Sequence, residues 1–197
     1  MRGFARVAVP WVSGFARRIC RDTSGLAAIE FALVAPLLSV LLIGCIDAAQ
    51  VFMTQTRLSA AIYAGVDYAL VNQAQVSSGS GASLATTIAT IVGNVNGTGW
   101  ASGTVTVNNG PTATFSGGAS TSGGTAANAD SYYCLSGTAG SWSWGSSQTN
   151  NTTPCVTNGP TAGKFVTITA SHAFSPSFLS LGFASGTLSQ SVAVQVQ

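Results

Sequence analysis

Two hydrophobic patterns follow one another along this chain. Residues 26–46 read LAAIEFALVAPLLSVLLIGCI, an apolar run of 21 residues with one charge, Glu30. About 20 apolar residues make a helix long enough to cross the hydrocarbon core of a bilayer. Pro36 falls inside the run, where a proline kinks a membrane helix without ending it. Beyond the run, Ala48, Ala49, Val51, Phe52, Leu58, Ala61, Ile62, Gly65, Tyr68 and Ala69 recur at near-helical spacing. The spacing predicts one helix over residues 26–72, with a second half that leaves the membrane and is amphipathic.

The pattern then changes. Residues 75–83 (QVSSGSGAS) read as a linker, and Ser83 can cap a short helix over 84–95 with Leu84, Ile88 and Ile91 on one face. Alternation and β-branching predict strands over 103–107, 112–115, 131–135, 164–174 and 188–196. Between the last two, Pro176, Phe178, Leu179, Leu181 and Phe183 form an apolar loop expected to tuck against the core. The fold class is therefore α+β: a long N-terminal transmembrane and amphipathic helix, then a small antiparallel sheet domain packed on the emerging helix. The expected organisation is a basic leader over 1–25, the helix over 26–72, and a Ser/Gly/Thr/Asn-rich domain over 73–197.

Charge gives this layout a direction. Only 6% of residues are charged, against about 25% in ordinary globular proteins. Arg2, Arg6, Arg17, Arg18 and Arg21 precede the apolar run with Asp22 the only acid, and the remainder carries Arg57 and Lys164 against Glu30, Asp47, Asp67 and Asp130. A basic patch directly before an apolar span is explained by the positive-inside rule rather than by nucleic acid. The leader stays in the cytoplasm and residues after the span are exported. The apolar stretch is too long for a cleaved secretory signal and leads into more helix.

Export to an oxidising compartment shapes the cysteines. Cys20 lies in the leader and Cys45 in the span, whereas Cys134 and Cys155 lie in the exported part and are expected to pair. The loop they close contains Trp142 and Trp144, and the cross-link contributes ~3 kcal/mol in the chain-entropy model. Alternation points both indoles the same way, either as a contact loop for a glycan or partner or, more simply, as cover for the sheet. His172 is the only histidine; two cysteines and one histidine at this spacing do not make a zinc site. No nucleophile elbow or phosphate-binding glycine motif occurs, so neither catalysis, metal nor cofactor is expected.

Glu30 is what a plain anchor does not explain, since a carboxylate within an apolar span costs ~2.5–3.5 kcal/mol on insertion scales. Ser24-Gly25, preceded by arginines and followed by four apolar residues, Glu30 and Phe31, resembles the processing site of type IV pilin-like proteins. The resemblance implies that a prepilin peptidase cuts after Gly25, so that the chain begins at Leu26. A neighbouring subunit's Glu30 then pairs with the new amine and sets the register, a use to which buried ion pairs are suited. More closely, residues 25–38, through Pro36, resemble the signature of TadE/TadG-like minor pilins of tight-adherence (Flp) pilus systems. Residues 60–69 resemble the second half of their helix, with Tyr63 and Asp67 where that stretch usually carries arginines. A cysteine pair followed by a β-rich C-terminal stretch also fits. The resemblance implies a non-enzymatic minor subunit of a tight-adherence pilus or secretion assembly, acting in pilus assembly and surface adhesion. Its partners would be the lipid membrane, the prepilin peptidase and other pilin subunits, without nucleic acid. It would sit in a bacterial inner membrane with its C-terminal domain in the periplasm, or enter a cell-surface pilus. The alternative is a periplasmic binding or adhesion module on an uncleaved anchor.

Overall fold

The computed structural model describes residues 24–176 and 186–197. The first helix, α1, runs Ser24–Val71 with Pro36 inside it. Its serine and threonine hydroxyls donate one turn back along the helix: Ser39 to the Ala35 carbonyl, Thr54 to Gln50, Thr56 to Phe52 and Ser59 to Gln55, at 2.8–3.0 Å. Polar side chains satisfied in this way do not interrupt an apolar helix. Asn72 ends it, its side-chain amide and backbone N–H both donating to the Tyr68 carbonyl.

The chain divides into two compact units, Met1–Asp47 and Ala48–Gln197. In the first, the described residues are helical and nearly all exposed, including Leu26, Ile29, Phe31, Leu33, Leu37 and Leu41. Among the described residues α1 is the one helix long and apolar enough to cross a membrane.

The second unit is an antiparallel sheet with helix on one face. After a 3-10 turn at Gln73–Gln75, α2 spans Gly81–Asn94. Strands follow at Ser102–Val107 (β1), Pro111–Ser116 (β2), Ala119–Gly124 (β3), Leu135–Thr138 (β4), Ser141–Trp144 (β5), Phe165–Phe174 (β6) and Gly186–Gln195 (β7). The main sheet has the order β3-β2-β1-β6-β7, with β4 and β5 forming a separate hairpin. The α+β class expected from the pattern is the one observed.

Alternation sorts the main sheet into two faces. Val105, Val107, Ala113, Phe115, Val166, Ile168 and Ala170 are buried with Leu58, Ala61, Ile62 and Ala69 of α1 and Leu84, Ala85, Ile88, Ala89 and Val92 of α2. Small residues allow the layers to approach: a Cβ on Gly65 would stand 2.7 Å from Val92 Cγ2 and 3.1 Å from Ile88 Cγ2. The opposite face is hydroxylated. Thr121, Thr114, Thr104, Thr169 and Ser191 are successive cross-strand partners from one edge of the sheet to the other.

Three local expectations change. Ser83 does not cap α2, which starts at Gly81 with Ser80 as the preceding residue and no side-chain cap. The earlier start is set by packing, because Gly81 lies against Pro111, Val107 and Ala129. Residues 131–135 do not form one strand; Tyr132 and Tyr133 make single bridges to Gln148 and Gly163, and β4 begins at Leu135. Finally, β3 was not anticipated. Its sequence, ASTSGG, has no apolar alternation and is held by pairing with β2. Most of the expected apolar loop, residues 177–185, lies outside the described residues.

Candidate functional site

The first candidate group lies at the start of α1. Gly25 has open space where a Cβ would be, and Leu26 and Phe31 are exposed, Phe31 to 72%. Glu30 is exposed one turn beyond Leu26, and Pro36 follows within the same helix. Four residues of α-helix rise about 6 Å and turn a little more than once, so Leu26 and Glu30 share a face. The chain thus presents a carboxylate among exposed apolar side chains. A helix of this kind is stable only where those side chains are covered, by lipid or by other helices.

The second group is the disulfide loop. Cys134 and Cys155 are bonded with Cα atoms 5.4 Å apart. The hairpin β4–β5 lies within the loop they close, and the Gly145 N–H donates to the Cys134 carbonyl. Trp142 and Trp144 alternate on β5 and are half-buried on one side. Trp142 Nε1 donates to Ser191 Oγ on β7 at 3.3 Å, and Ser191 in turn pairs with Thr169 Oγ1 at 2.9 Å. Trp144 meets Tyr133 edge-on at 5.7 Å and Phe165 at 6.5 Å between centroids. Both indoles therefore contact groups of the sheet domain and cover part of its hydroxylated face.

Three residues, Asn108, Lys164 and Trp100, organise this region through partners distant in sequence. Asn108 is buried in the β1–β2 turn with φ 49°. Its amide donates to the Ala129 and Ser131 carbonyls, and its Oδ1 accepts from the Phe165 N–H. One side chain thereby joins the turn, the approach to Cys134 and the start of β6. Lys164, 8% exposed, donates from Nζ to the Val76 carbonyl at 2.9 Å and lies 5.4 Å from the Tyr132 ring centroid. Trp100 stacks on His172 with centroids 4.2 Å apart, and its carbonyl lies 2.6 Å from His172 Nδ1. A carbonyl only accepts, so Nδ1 carries the proton. Asn in a tight turn was a readable hint; the partners, 21 to 88 residues away, were not.

Asp130 gives this region a pH dependence. Hydrogen bonds from Ser78, side chain first and then the backbone N–H at 2.9 Å, hold its carboxyl below the ordinary 3.8, with the Lys164 charge adding in the same direction. A depressed folded-state pKa stabilises the fold above the unfolded value, and that contribution disappears as pH falls through the folded value. Asp130→Asn is therefore expected to lose stability relative to wild type at pH 6, with the gap closing as the pH is taken below the ordinary 3.8 and through the lowered folded-state value. Paired thermal melts across that range check this, and a gap independent of pH would remove the carboxylate from the account.

No curated protein and no solved structure matches the chain. Residues 25–67, the segment that carries Glu30, Phe31 and Pro36, match the family model described as TadE-like protein.

Proposed function

We propose that this chain is a minor pilin-like structural subunit of a tight-adherence pilus or secretion assembly, processed after Gly25 by a prepilin peptidase. The observation that carries the reading is the coincidence of the TadE-like match over 25–67 with an apolar helix long enough to cross a membrane and bearing Glu30. The mechanism is side-by-side packing of these helices. Cleavage would create an amine at Leu26, and the Glu30 carboxylate of an adjacent copy or related pilin would neutralise it. Out of register, both charges would stay unpaired among apolar groups at a cost of several kcal/mol. The exported domain then joins, initiates or caps the assembly and presents its surface for adhesion. The leader remains cytoplasmic and the sheet domain periplasmic.

The test is the N-terminus of the membrane-purified protein, measured by intact mass and terminal peptide mapping in a host with and without the peptidase. The expected chain begins at Leu26 only when the peptidase is present. A chain that begins at Met1 in its native host would overturn processing and leave an uncleaved anchor. Glu30→Leu is expected to retain membrane insertion and lose incorporation into the assembly, which co-purification with partner pilins measures.

A further inference from the structure

A cleft in the sheet-domain unit brings an exposed cation together with an apolar wall. It is open, with a volume of about 360 Å³, and is lined by Gln50, Met53, Thr54 and Arg57 of α1 and by His172, Ala173, Phe174 and Ser175 at the end of β6. That volume is within the range of small-ligand sites, roughly 300–1,000 Å³. The spacing 50, 53, 54, 57 places the four α1 residues on one helical face. No carboxylate lines the cleft among the described residues.

Its electrostatics select an anion. Arg57 is exposed, whereas the other described basic residue, Lys164, is buried against Val76. An arginine presents planar paired donors that suit phosphate and carboxylate oxygens. Ser175 adds an exposed hydroxyl. His172 is held in one orientation by the Trp100 carbonyl at Nδ1 and by the stacked indole, so it flanks the anion position as a fixed neighbour while Arg57 supplies the donors. Opposite in character, Met53 is 61% exposed, and Phe174 also lines the wall. One part of the cleft suits a multi-oxygen anion and another suits hydrocarbon.

We propose that this cleft binds the phosphate group of an amphiphilic phosphate ester, with the anion on Arg57 beside His172 and the apolar portion against Met53 and Phe174. The source is either a phospholipid headgroup or a free phosphate compound. The inference does not depend on processing or on pilus assembly.

His172 makes the test direct, because the chain has a single histidine. Full-length protein labelled with 15N-histidine, in an uncharged detergent at fixed pH, is titrated with inorganic phosphate and, separately, with dihexanoyl phosphatidylglycerol. A saturable shift of the His172 ring signals with both supports recognition of the phosphate group whatever its source. A shift with the phosphatidylglycerol alone supports the headgroup as the source. Arg57→Gln is expected to weaken either response by about tenfold or more, since a charge-assisted pair is lost. Arg57→Lys should recover part of it. Unchanged tryptophan fluorescence in both variants separates loss of binding from loss of fold. No saturable shift with either compound, or the same affinity in Arg57→Gln, overturns the proposal.

Discussion

Replacing Gly103 by alanine is expected to lower the unfolding free energy of the sheet domain by about 3 kcal/mol or more. Gly103 lies in β1, between β2 and β6, opposite Phe115 on one side and Ala170 on the other. A Cβ there would overlap the Thr169 carbonyl and stand 2.9 Å from both Ala170 Cα and Phe115 Cζ. Phe115 is buried and its Cζ lies on the axis of ring rotation, so turning the ring does not clear the contact, and the backbone of β6 cannot move without opening the ladder. The penalty is thus lost inter-strand hydrogen bonding and disturbed core packing together, and it outweighs the stabilisation that a glycine-to-alanine change brings by restricting the unfolded chain. Urea titration of the full chain in uncharged detergent, followed by tryptophan fluorescence, reads it, because Trp100, Trp142 and Trp144 all belong to this unit. Gly79→Ala is the control: nothing lies within 4 Å of its Cβ position, so its effect should stay within about 0.5 kcal/mol. Equal midpoints for Gly103→Ala and wild type would mean that β1 and β6 are not this close.

Ile88→Ala is expected to cost about 2–5 kcal/mol. Ile88 is 0% exposed in the buried cluster that includes α1, α2 and sheet residues. Its Cγ2 lies 3.1 Å from the Cβ position of Gly65, so the two helices meet here without room for a larger side chain on α1. Truncation removes apolar atoms and leaves a void lined by packed helices and sheet, which relax only in part. Ile88→Val should cost about 0.5–1.5 kcal/mol on the same scale. Val95→Ala, at a position 52% exposed, should fall within about 0.5 kcal/mol. The same titration ranks the three, and an Ile88→Ala midpoint no lower than that of Val95→Ala would remove Ile88 from the core.

The contrast between these sites shows what a sequence makes readable. Ile88 was legible because its spacing from Leu84 gives α2 an apolar face, and that face is the buried one. The strands rich in β-branched residues were legible for a similar reason: Gly103 to Val107 was expected and Ser102–Val107 is observed, and Lys164 to Phe174 became Phe165–Phe174. Gly103 gave no warning, since its role depends on a strand more than sixty residues away. For β3 there was nothing to read, because Ala119–Gly124 owes its conformation to the neighbouring strand rather than to its own side chains. Of the candidate groups, the disulfide was readable because Cys134 and Cys155 are the two cysteines beyond the apolar run. Glu30 stood out as the one charge within that run. The Arg57–His172 cleft was not readable, since helix spacing gives half of it and a distant strand end supplies the rest.

The strand order has a kinetic consequence. β1, β2 and β3 form a meander through short turns, and β6 and β7 are also adjacent in sequence, so both groups can pair soon after their residues emerge. The seam between β1 and β6 is different: Asn108 and Phe165, which bound it, are 57 residues apart. Cross-linking Cys134 to Cys155, 21 residues apart, shortens that connection to about 37 residues and lowers its closure cost by only about 0.4 kcal/mol. Oxidation should therefore accelerate joining of the two sheet halves by no more than about twofold. Its larger effect is on the hairpin that carries Trp142 and Trp144. A reduced chain is accordingly expected to close its sheet on nearly the same schedule as the oxidised one, with that hairpin ordering late.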